Sequence, residues 1–340
     1  MSLDLRNGRV NMGHGSGGRA TAQLIDALFL KHFDNALLRQ GNDQACFDVD
    51  AGRMVMSTDS HVISPLFFPG GDIGSLSVHG TVNDLAMSGA KPLYFSVGFI
   101  LEEGLALADL ERIVISMAAA AKQADVKIIC GDTKVVEIGK GDGVFINTTG
   151  IDVVPKGINI PGDLARPGDA ILISGTIGDH GTAVLSKRKN LEFETTIESD
   201  SAALRLVAEM VKAVPQVHCL RDPTRGGLVT SLNELAKQSG VGMQISEANI
   251  PVRTEVAAAC ELMGLDPLYI ANEGKLIAIC AAEDAEMLLS IMRGYAFGHD
   301  AAIIGEVIED KHQLVQMQTA FGGQRLVDWW IGGLVDWLIG

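Results

Sequence analysis

Three aspartates and a lysine carry the chemistry most open to reading in this sequence. In Gly131-Asp132-Thr133-Lys134-Val135-Val136 a carboxylate and an ammonium stand two residues apart, directly after the apolar run 126–130. Asp132 is a hard oxygen ligand, Lys134 is a compact point charge, and Gly131 lets the backbone bend tightly. That is the equipment for a divalent cation beside an anion, and the stretch reads as strand, sharp acidic turn, strand. Asp59 closes the alternating run 54–59, and Asp84 sits in Thr81-Val82-Asn83-Asp84-Leu85-Ala86, so all three carboxylates are expected at strand or turn edges. Carboxylates gathered in one place repel unless a metal neutralises them. Mg²⁺ is usually held by one or two carboxylates together with substrate phosphates, so the set beside Lys134 points to nucleotide phosphates rather than a closed protein cage. The other reading is that each Asp caps a turn.

Further candidates are scattered along the chain. Asn11-Met12-Gly13-His14-Gly15-Ser16-Gly17-Gly18 formally matches G-x-G-x-x-G, but the short, polar segment before it is no buried strand. What survives is a glycine-rich arm at a helix start, able to wrap phosphates with backbone N–H groups, or else a disordered arm. Arg221-Asp222-Pro223-Thr224-Arg225-Gly226-Gly227 opens a helix and is either an anion site or an ordinary capped N-terminus. Glu273, in Ala271-Asn272-Glu273-Gly274-Lys275, is a general base or simply solvated. Cys130 is a nucleophile or, as is commoner for cysteine in a strand, a small apolar filler. His14 and His180 lie in glycine-rich loops within reach of a phosphate, and neither has metal-ligand spacing.

The elements that must position these residues fall into two halves. From residue 53 the order is strand (53–58), helix (73–88), strand (93–101), helix (107–124), strand (126–130) and strand (143–154), after an amphipathic helix over 22–33. Such an order predicts a mixed sheet with helices on one face, an α+β arrangement. The apolar loop 65–71, Pro-Leu-Phe-Phe-Pro-Gly-Gly, is a lid or a subunit contact. The densest Pro/Gly stretch, 156–169, is read as a linker between an N-terminal domain (41–155, preceded by the arm and helix 1–40) and a C-terminal α/β domain (170–320). That half alternates strands (170–174, 243–246, 275–280, 301–308) with helices, one of them over 201–213. Residues 321–340 form an atypical tail holding all three tryptophans, in which 326–332 nearly repeats as 334–340. The stretch from Leu326 on is not expected in the second core.

Composition limits the function. The 340 residues suggest about two domains, and 47% hydrophobic residues suffice for two cores. A net charge of −15 argues against nucleic acid as partner, and a small anionic substrate would need local cations and metal. Five cysteines without a C-x-x-C pair indicate neither a disulfide framework nor structural zinc, which fits the reducing cytoplasm. No apolar run approaches a membrane span, and no targeting segment is expected.

With Ser57-Thr58-Asp59-Ser60, 65–74, Val82-Asn83-Asp84-Leu85-Ala86-Met87-Ser88-Gly89-Ala90, Gly98-Phe99-Ile100-Leu101-Glu102-Glu103-Gly104, 131–136 and 271–276 all in order, the sequence from about residue 11 to 326 strongly resembles the HypE family. These are the carbamoyl dehydratases of nickel–iron hydrogenase maturation, relatives of aminoimidazole ribonucleotide synthetase, selenophosphate synthetase and thiamine-monophosphate kinase. The resemblance implies an aminoimidazole-ribonucleotide-synthetase-like two-domain fold, a homodimer through the N-terminal domains, and ATP with Mg²⁺ as cofactors. It also implies a reaction: a carbamoyl group from the transferase HypF becomes a thiocarboxamide, ATP phosphorylates the amide oxygen, and loss of phosphate leaves a thiocyanate whose cyanide passes to iron on HypC–HypD. By motif, Asp59, Asp84 and Asp132 resemble the Mg²⁺ ligands, with Asp43 a fourth. Gly15, Ser16, Gly17, Gly18, Asn83, Thr133, Lys134, Thr224 and Arg225 resemble the ATP and phosphate contacts. Lys134 and Glu273 fill the catalytic roles. The family's chains end in Pro-Arg-Ile-Cys, whereas this sequence ends Asp336-Trp337-Leu338-Ile339-Gly340 and its last cysteine is Cys280. ATP binding is therefore expected, and the complete reaction is in question. Two alternatives stand beside it: a nucleotide-binding scaffold, and another ATP-dependent member such as selenophosphate synthetase, although the arm carries Ser16 where that enzyme would place a reactive cysteine.

Overall fold

The computed structural model describes residues 3–16, 19–40, 47, 52–90, 92–191, 197–214 and 216–328. Gly17, Gly18, Asp43, Trp329, Trp330 and Trp337 lie outside the described residues. The chain divides into two compact units: Met1–Phe67, Gly71–Leu85 and Ala90–Val154 make the first, and Phe68–Gly70, Ala86–Gly89 and Pro155–Gly340 the second. No helix among the described residues is long and apolar enough to cross a membrane.

The first unit begins with the arm, whose backbone pairs with the 104–107 connection through Val10 N–H to Leu105 O (2.7 Å) and Gly104 N–H to Val10 O (2.8 Å). It continues into α1 (Arg19–Leu24), a π-helical turn (Ile25–Leu30) and α2 (Lys31–Phe33). Leu24, Leu28, Phe29 and Phe33 are buried, and Phe29 stacks on Phe99 with centroids 4.9 Å apart. After β1 (Arg53–His61) come the two-residue strands β2 (Phe67–Phe68) and β3 (Gly71–Asp72), then α3 (Ile73–Ala86), β4 (Tyr94–Glu102), α4 (Leu107–Ala124), β5 (Lys127–Val136) and β6 (Val144–Val154). The main sheet runs β1-β6-β4-β5; β4 and β5 are parallel and the other pairs antiparallel. A parallel pair needs a long crossover, and α4 supplies it. Its apolar stripe, Leu107, Leu110, Ile113, Val114 and Met117, is wholly buried. α3 is mostly apolar or small-residued, and all of its residues but Ser75 and Asp84 are buried. A side chain at Gly74 would collide with Ile113 O of α4, so this glycine sets the approach of the two helices.

The acidic stretch corrects the expectation of a turn. Gly131 to Val136 lie inside β5, paired residue by residue with Val97 to Glu102 of β4. A ladder to an interior strand outweighs the local turn preference of Gly-Asp. Gly131 serves close approach, since a Cβ there would sit 2.6 Å from Val97 O. Asp59 likewise lies within β1, and Asp84 in the last turn of α3, so none of the three carboxylates marks a strand end.

The second unit contains β7 (Ala170–Ile173), α5 (Asp179–Arg188), α6 (Val207–Ala213), β8 (Val217–Arg221), α7 (Gly227–Ser239), β9 (Gly242–Ser246), α8 (Thr254–Met263), β10 (Ile277–Cys280), α9 (Ala285–Arg293), β11 (Ala302–Ile308), β12 (Val315–Gln318) and β13 (Gln324–Leu326). Its sheet is ordered β13-β12-β9-β11-β7-β10-β8, and of these pairs only β12–β9 is parallel. Period-two alternation sends Ile171, Ile173, Ile277 and Ile279 to a core shared with α7, and Leu172, Ala278 and Cys280 to one shared with α6 and α9. A sheet covered on both faces explains the continuous apolar reading of β7 and β10. The helix expected over 201–213 starts only at Val207, because Ser199 Oγ accepts the Ser201 N–H and offers the backbone an alternative to the helix. The expectation that the stretch from Leu326 lies outside this core is corrected at Val327. Its side chain is 2% exposed, its N–H donates to Val315 O, and its carbonyl accepts from buried Asn233.

Candidate active site

β1 and α3 bring Asp59 and Asp84 to one side of the first unit's sheet. Ser57, Asp59 and His61 alternate onto the α3 side of β1, where Gly80 and Asp84 stand one helical turn apart. Ser57 Oγ donates to Asp84 Oδ2 at 2.7 Å. Asp59 Oδ2 lies 3.7 Å from His61 Nε2, and a Cβ at Gly80 would fall 3.3 Å from the same oxygen. Thr148 seals the layer beneath, sharing a 2.6 Å hydroxyl contact with Thr81 and donating to Ser77 O. Asn83 is buried in α3, so it faces protein rather than solvent.

Asp132 and Lys134 stand on the opposite face. Asp59 pairs with Thr148, Thr148 with Val97 and Val97 with Gly131, which assigns that row to the helix side. Ser60, Asn147, Gly98 and Asp132 form the next row, on the open side. β1 and β5 are also three strand spacings apart, about 14 Å. The single cluster of three carboxylates read from the sequence is therefore not formed: among the described residues no three metal-binding side chains converge. A one-residue step along a strand changes the face, and residue type does not reveal it. Lys134 Nζ sits 3.3 Å from Asp132 Oδ2, with side chains 65% and 69% exposed, so the pair is solvated and weakly stabilising.

The arm reaches β5 at Val135, next in sequence to Lys134 but on the helix side of the sheet. Gly15 packs so closely on Val135 that a Cβ would lie 2.6 Å from its backbone nitrogen. Ser16 Oγ donates to Gly13 O, and His14 is buried with its Nδ1 accepting the Asn11 N–H, locked into the arm's own turn rather than offered to a phosphate. Burial lowers the His14 pKa. Thr133 and half-buried Cys130 line a cavity of about 160 Å³ with Val97, Phe99 and Phe29.

In the second unit, Glu273 sits on the 271–275 loop, its N–H donating to Asp200 Oδ1 at 3.1 Å. Thr224 and Arg225 occupy the turn before α7, which opens through two left-handed glycines, Gly226 (φ 75°) and Gly227 (φ 62°). Arg225 is exposed, and Thr224 O accepts from Gly227 N. His180 is buried against Phe68 and bonded to Ser199 Oγ at 2.8 Å, with burial holding its pKa down to about 4, so it is no phosphate contact. Sequence reasoning missed His61, Asp200 and the linking role of Asn272. Of these only Asn272, adjacent to Glu273, lay inside a stretch already singled out.

Comparison with known proteins agrees with this architecture. The AIR synthase related protein N-terminal domain matches residues 41–154 and the C-terminal domain of the same family matches residues 166–318. The carbamoyl dehydratase HypE of Cupriavidus necator is 68% identical over 332 residues, which is 97% of this chain and 95% of that protein. A crystal structure of the hydrogenase maturation protein HypE in complex with ATP is 52% identical, with a TM-score of 0.92 over 94% of this chain and 98% of its own. A HypE–HypF complex is similar at 50% identity and a TM-score of 0.80, over 90% of this chain and 99% of that one. The chain belongs to the carbamoyl dehydratase HypE family of hydrogenase maturation enzymes.

Proposed function

We propose that the protein uses ATP to dehydrate a protein-bound S-carboxamide to a thiocyanate, the source of the cyanide ligand of hydrogenase iron. The observation that carries the nucleotide reading is the packing of the arm's Gly15 on Val135 of β5, the residue that follows Lys134 in the stretch holding Asp132 and Thr133. A glycine-rich backbone, a carboxylate and an ammonium are what a metal-bound triphosphate needs. A HypE structure holds ATP, which favours the same ligand here.

The donor set fits Mg²⁺: half-exposed Asp59 and exposed Asp132 are hard oxygens with room for water and phosphate. Asp59 and Asp84, on one face of the sheet, would hold one ion with Asp43 as a further carboxylate, and Asp132, on the other face, would hold a separate ion beside Lys134. When bound, such an ion neutralises phosphate charge and orients the triphosphate. Gly15, Ser16, Gly17 and Gly18 offer their backbone to the phosphates, with Thr133 as a further contact and Thr224–Arg225 as a second anion site, while Asn83, buried in α3, would support that helix rather than touch a phosphate. The amide oxygen leaves badly as hydroxide and well as phosphate. Lys134 stabilises the transferring phosphoryl group. One N–H proton leaves as the amide oxygen is phosphorylated, and Glu273 takes the other as the C–O bond breaks, so the carboxamide oxygen ends in inorganic phosphate and C≡N remains on sulfur. HypF as carbamoyl donor, HypC–HypD as recipient, a homodimer and a cytoplasmic setting complete the proposal; the first is favoured by the HypE–HypF complex and the last by free thiols at Cys130, Cys219, Cys260 and Cys280.

A second reading, a nucleotide-binding scaffold, is favoured by one observation. Cys219, Cys260 and Cys280 are buried with their thiols pushed up by desolvation, Cys280 to about 12, and such thiols are poor carbamoyl acceptors. A synthetic S-carbamoyl-cysteine peptide supplied in trans decides between the two. Dehydration predicts loss of one water from the peptide and delivery of an oxygen label from the carboxamide to phosphate. ATP binding without peptide conversion would establish the scaffold instead.

A further inference from the structure

The loop bearing Glu273 is held by buried side chains to which the reaction gives no task. Asn272 has no exposed surface. Its Oδ1 accepts the Gly178 N–H at 2.8 Å, its Nδ2 donates to Pro223 O and Ile270 O at 3.0 Å each, and its own N–H donates to Pro223 O at 3.1 Å. One side chain thus ties together the loops 175–181, 221–227 and 271–275. From the other side, Asp200 Oδ1 accepts the Glu273 N–H at 3.1 Å and the Ala202 N–H donates to Glu273 O at 3.4 Å, so both backbone polar groups of Glu273 are held by one segment.

The second oxygen of Asp200 makes no hydrogen bond and faces Lys275 Nζ at 3.4 Å, with the two side chains 3% and 5% exposed. Glycines make room for the pair. A Cβ at Gly274 would collide with Asp200 O, and one at Gly175 would press on Lys275 Cε at 3.0 Å. Stability alone does not account for it, because removing two charges from water costs about as much as their attraction returns. What such a pair does give is a defined geometry: a charge leaving its place would lie unpaired in a low-dielectric interior. Thr224 and Arg225 follow Pro223 directly, so Asn272 couples their turn to the backbone of Glu273.

We propose that Asn272 and the Asp200–Lys275 pair are positioning residues for Glu273, fixing its carboxylate and registering it with the Thr224–Arg225 turn. The proposal rests on Glu273 being the base that removes the amide proton.

A double-mutant cycle on peptide dehydration tests it, with the thermal shift on Mg-ATP as the control for folding and nucleotide binding. Asp200→Ala is expected to lower kcat about 10- to 100-fold, the scale of a misplaced catalytic group, with KM for Mg-ATP unchanged. Asp200→Asn combined with Lys275→Met keeps the acceptor for the Glu273 N–H, leaves no orphan charge, and is expected to restore kcat to within about threefold of wild type. Asn272→Ala enters the same cycle and serves if Asp200→Ala does not fold. In a Glu273→Gln background neither substitution is expected to lower the rate further. An equal fold-loss in the wild-type and Glu273→Gln backgrounds overturns the proposal while leaving Glu273 as base. A Glu273→Gln enzyme with wild-type rate overturns the base assignment and the proposal together, so the two failures are distinguishable.

Discussion

Single residues differ sharply in what their removal tests. Asp132 is mostly exposed and paired with a solvated Lys134, so Asp132→Ala should leave the ligand-free melting temperature within about 1 °C, given surface effects of about 0.5 kcal/mol or less. The same substitution should abolish the stabilisation by Mg-ATP, which is about 2.7 kcal/mol for a ligand at a hundredfold excess over Kd. Equal ligand-induced shifts in wild type and variant would remove Asp132 from the site. Two buried histidines set a pH dependence of a different kind. Desolvation lowers His79 and His180 to about 4, against about 6.5 when unfolded, although Asp200 pulls His180 back upward. Between those values the unfolded chain binds more protons than the native one, so stability is fully present above pH 6.5 and is lost as pH falls toward 4. Urea denaturation at stepped pH should show that slope, and His79→Gln should flatten it. A profile level from pH 7 to 4.5 would contradict the burial argument.

At the scale of elements, the α3–α4 contact is an exacting one. Gly74→Ala places a methyl group against Ile113 O and beside Asp72 Oδ1, and overpacking of this sort costs about 1–3 kcal/mol. Ile115→Ala, on the exposed face of α4, should cost about 0.5 kcal/mol or less. Urea midpoints measured side by side give the comparison, and equal midpoints would mean the helices shift freely. The helices themselves were readable: the spacing of Leu107, Leu110, Ile113, Val114 and Met117 is a helical stripe wherever it is met. β5 was not. The Gly-Asp of 131–132 carries a local turn signal, and only the ladder to β4 overrides it.

For the whole molecule, the uncovered face of the first unit's sheet is the informative surface. Met54, Met56 and Ile100 are 52%, 68% and 44% exposed there, with Phe145, Ile151 and Val153 half-buried beside them. An apolar sheet face of this kind fits the proposed homodimer, whose stable form would bury about 800 Å² on each partner. Asp132 and Lys134 stand on the same side of the sheet, away from Asp59 and Asp84. Light scattering at micromolar concentration should give a dimer mass for the wild type and a monomer mass for Met56→Glu combined with Ile100→Glu. A wild-type monomer would leave the face without its proposed partner.

The sequence by itself determined which residues are worth asking about and most of the elements that carry them. Asp59, Asp84, Asp132, Lys134 and Glu273 stand in short ordered motifs, and hydrophobic periodicity is local, so both survive without a third dimension. Tertiary structure alone decided how those residues are distributed. The register β1-β6-β4-β5 sends Asp59 to the helix side and Asp132 to the open side, an outcome that depends on pairings between residues some ninety positions apart. It likewise decided that Asp200, more than seventy positions from Glu273, holds that residue's backbone, and that His14 and His180 turn inward. Long-range pairing and burial are properties of the assembled chain, because a side chain's face and neighbours come from strands and loops that its own sequence neighbourhood does not contain.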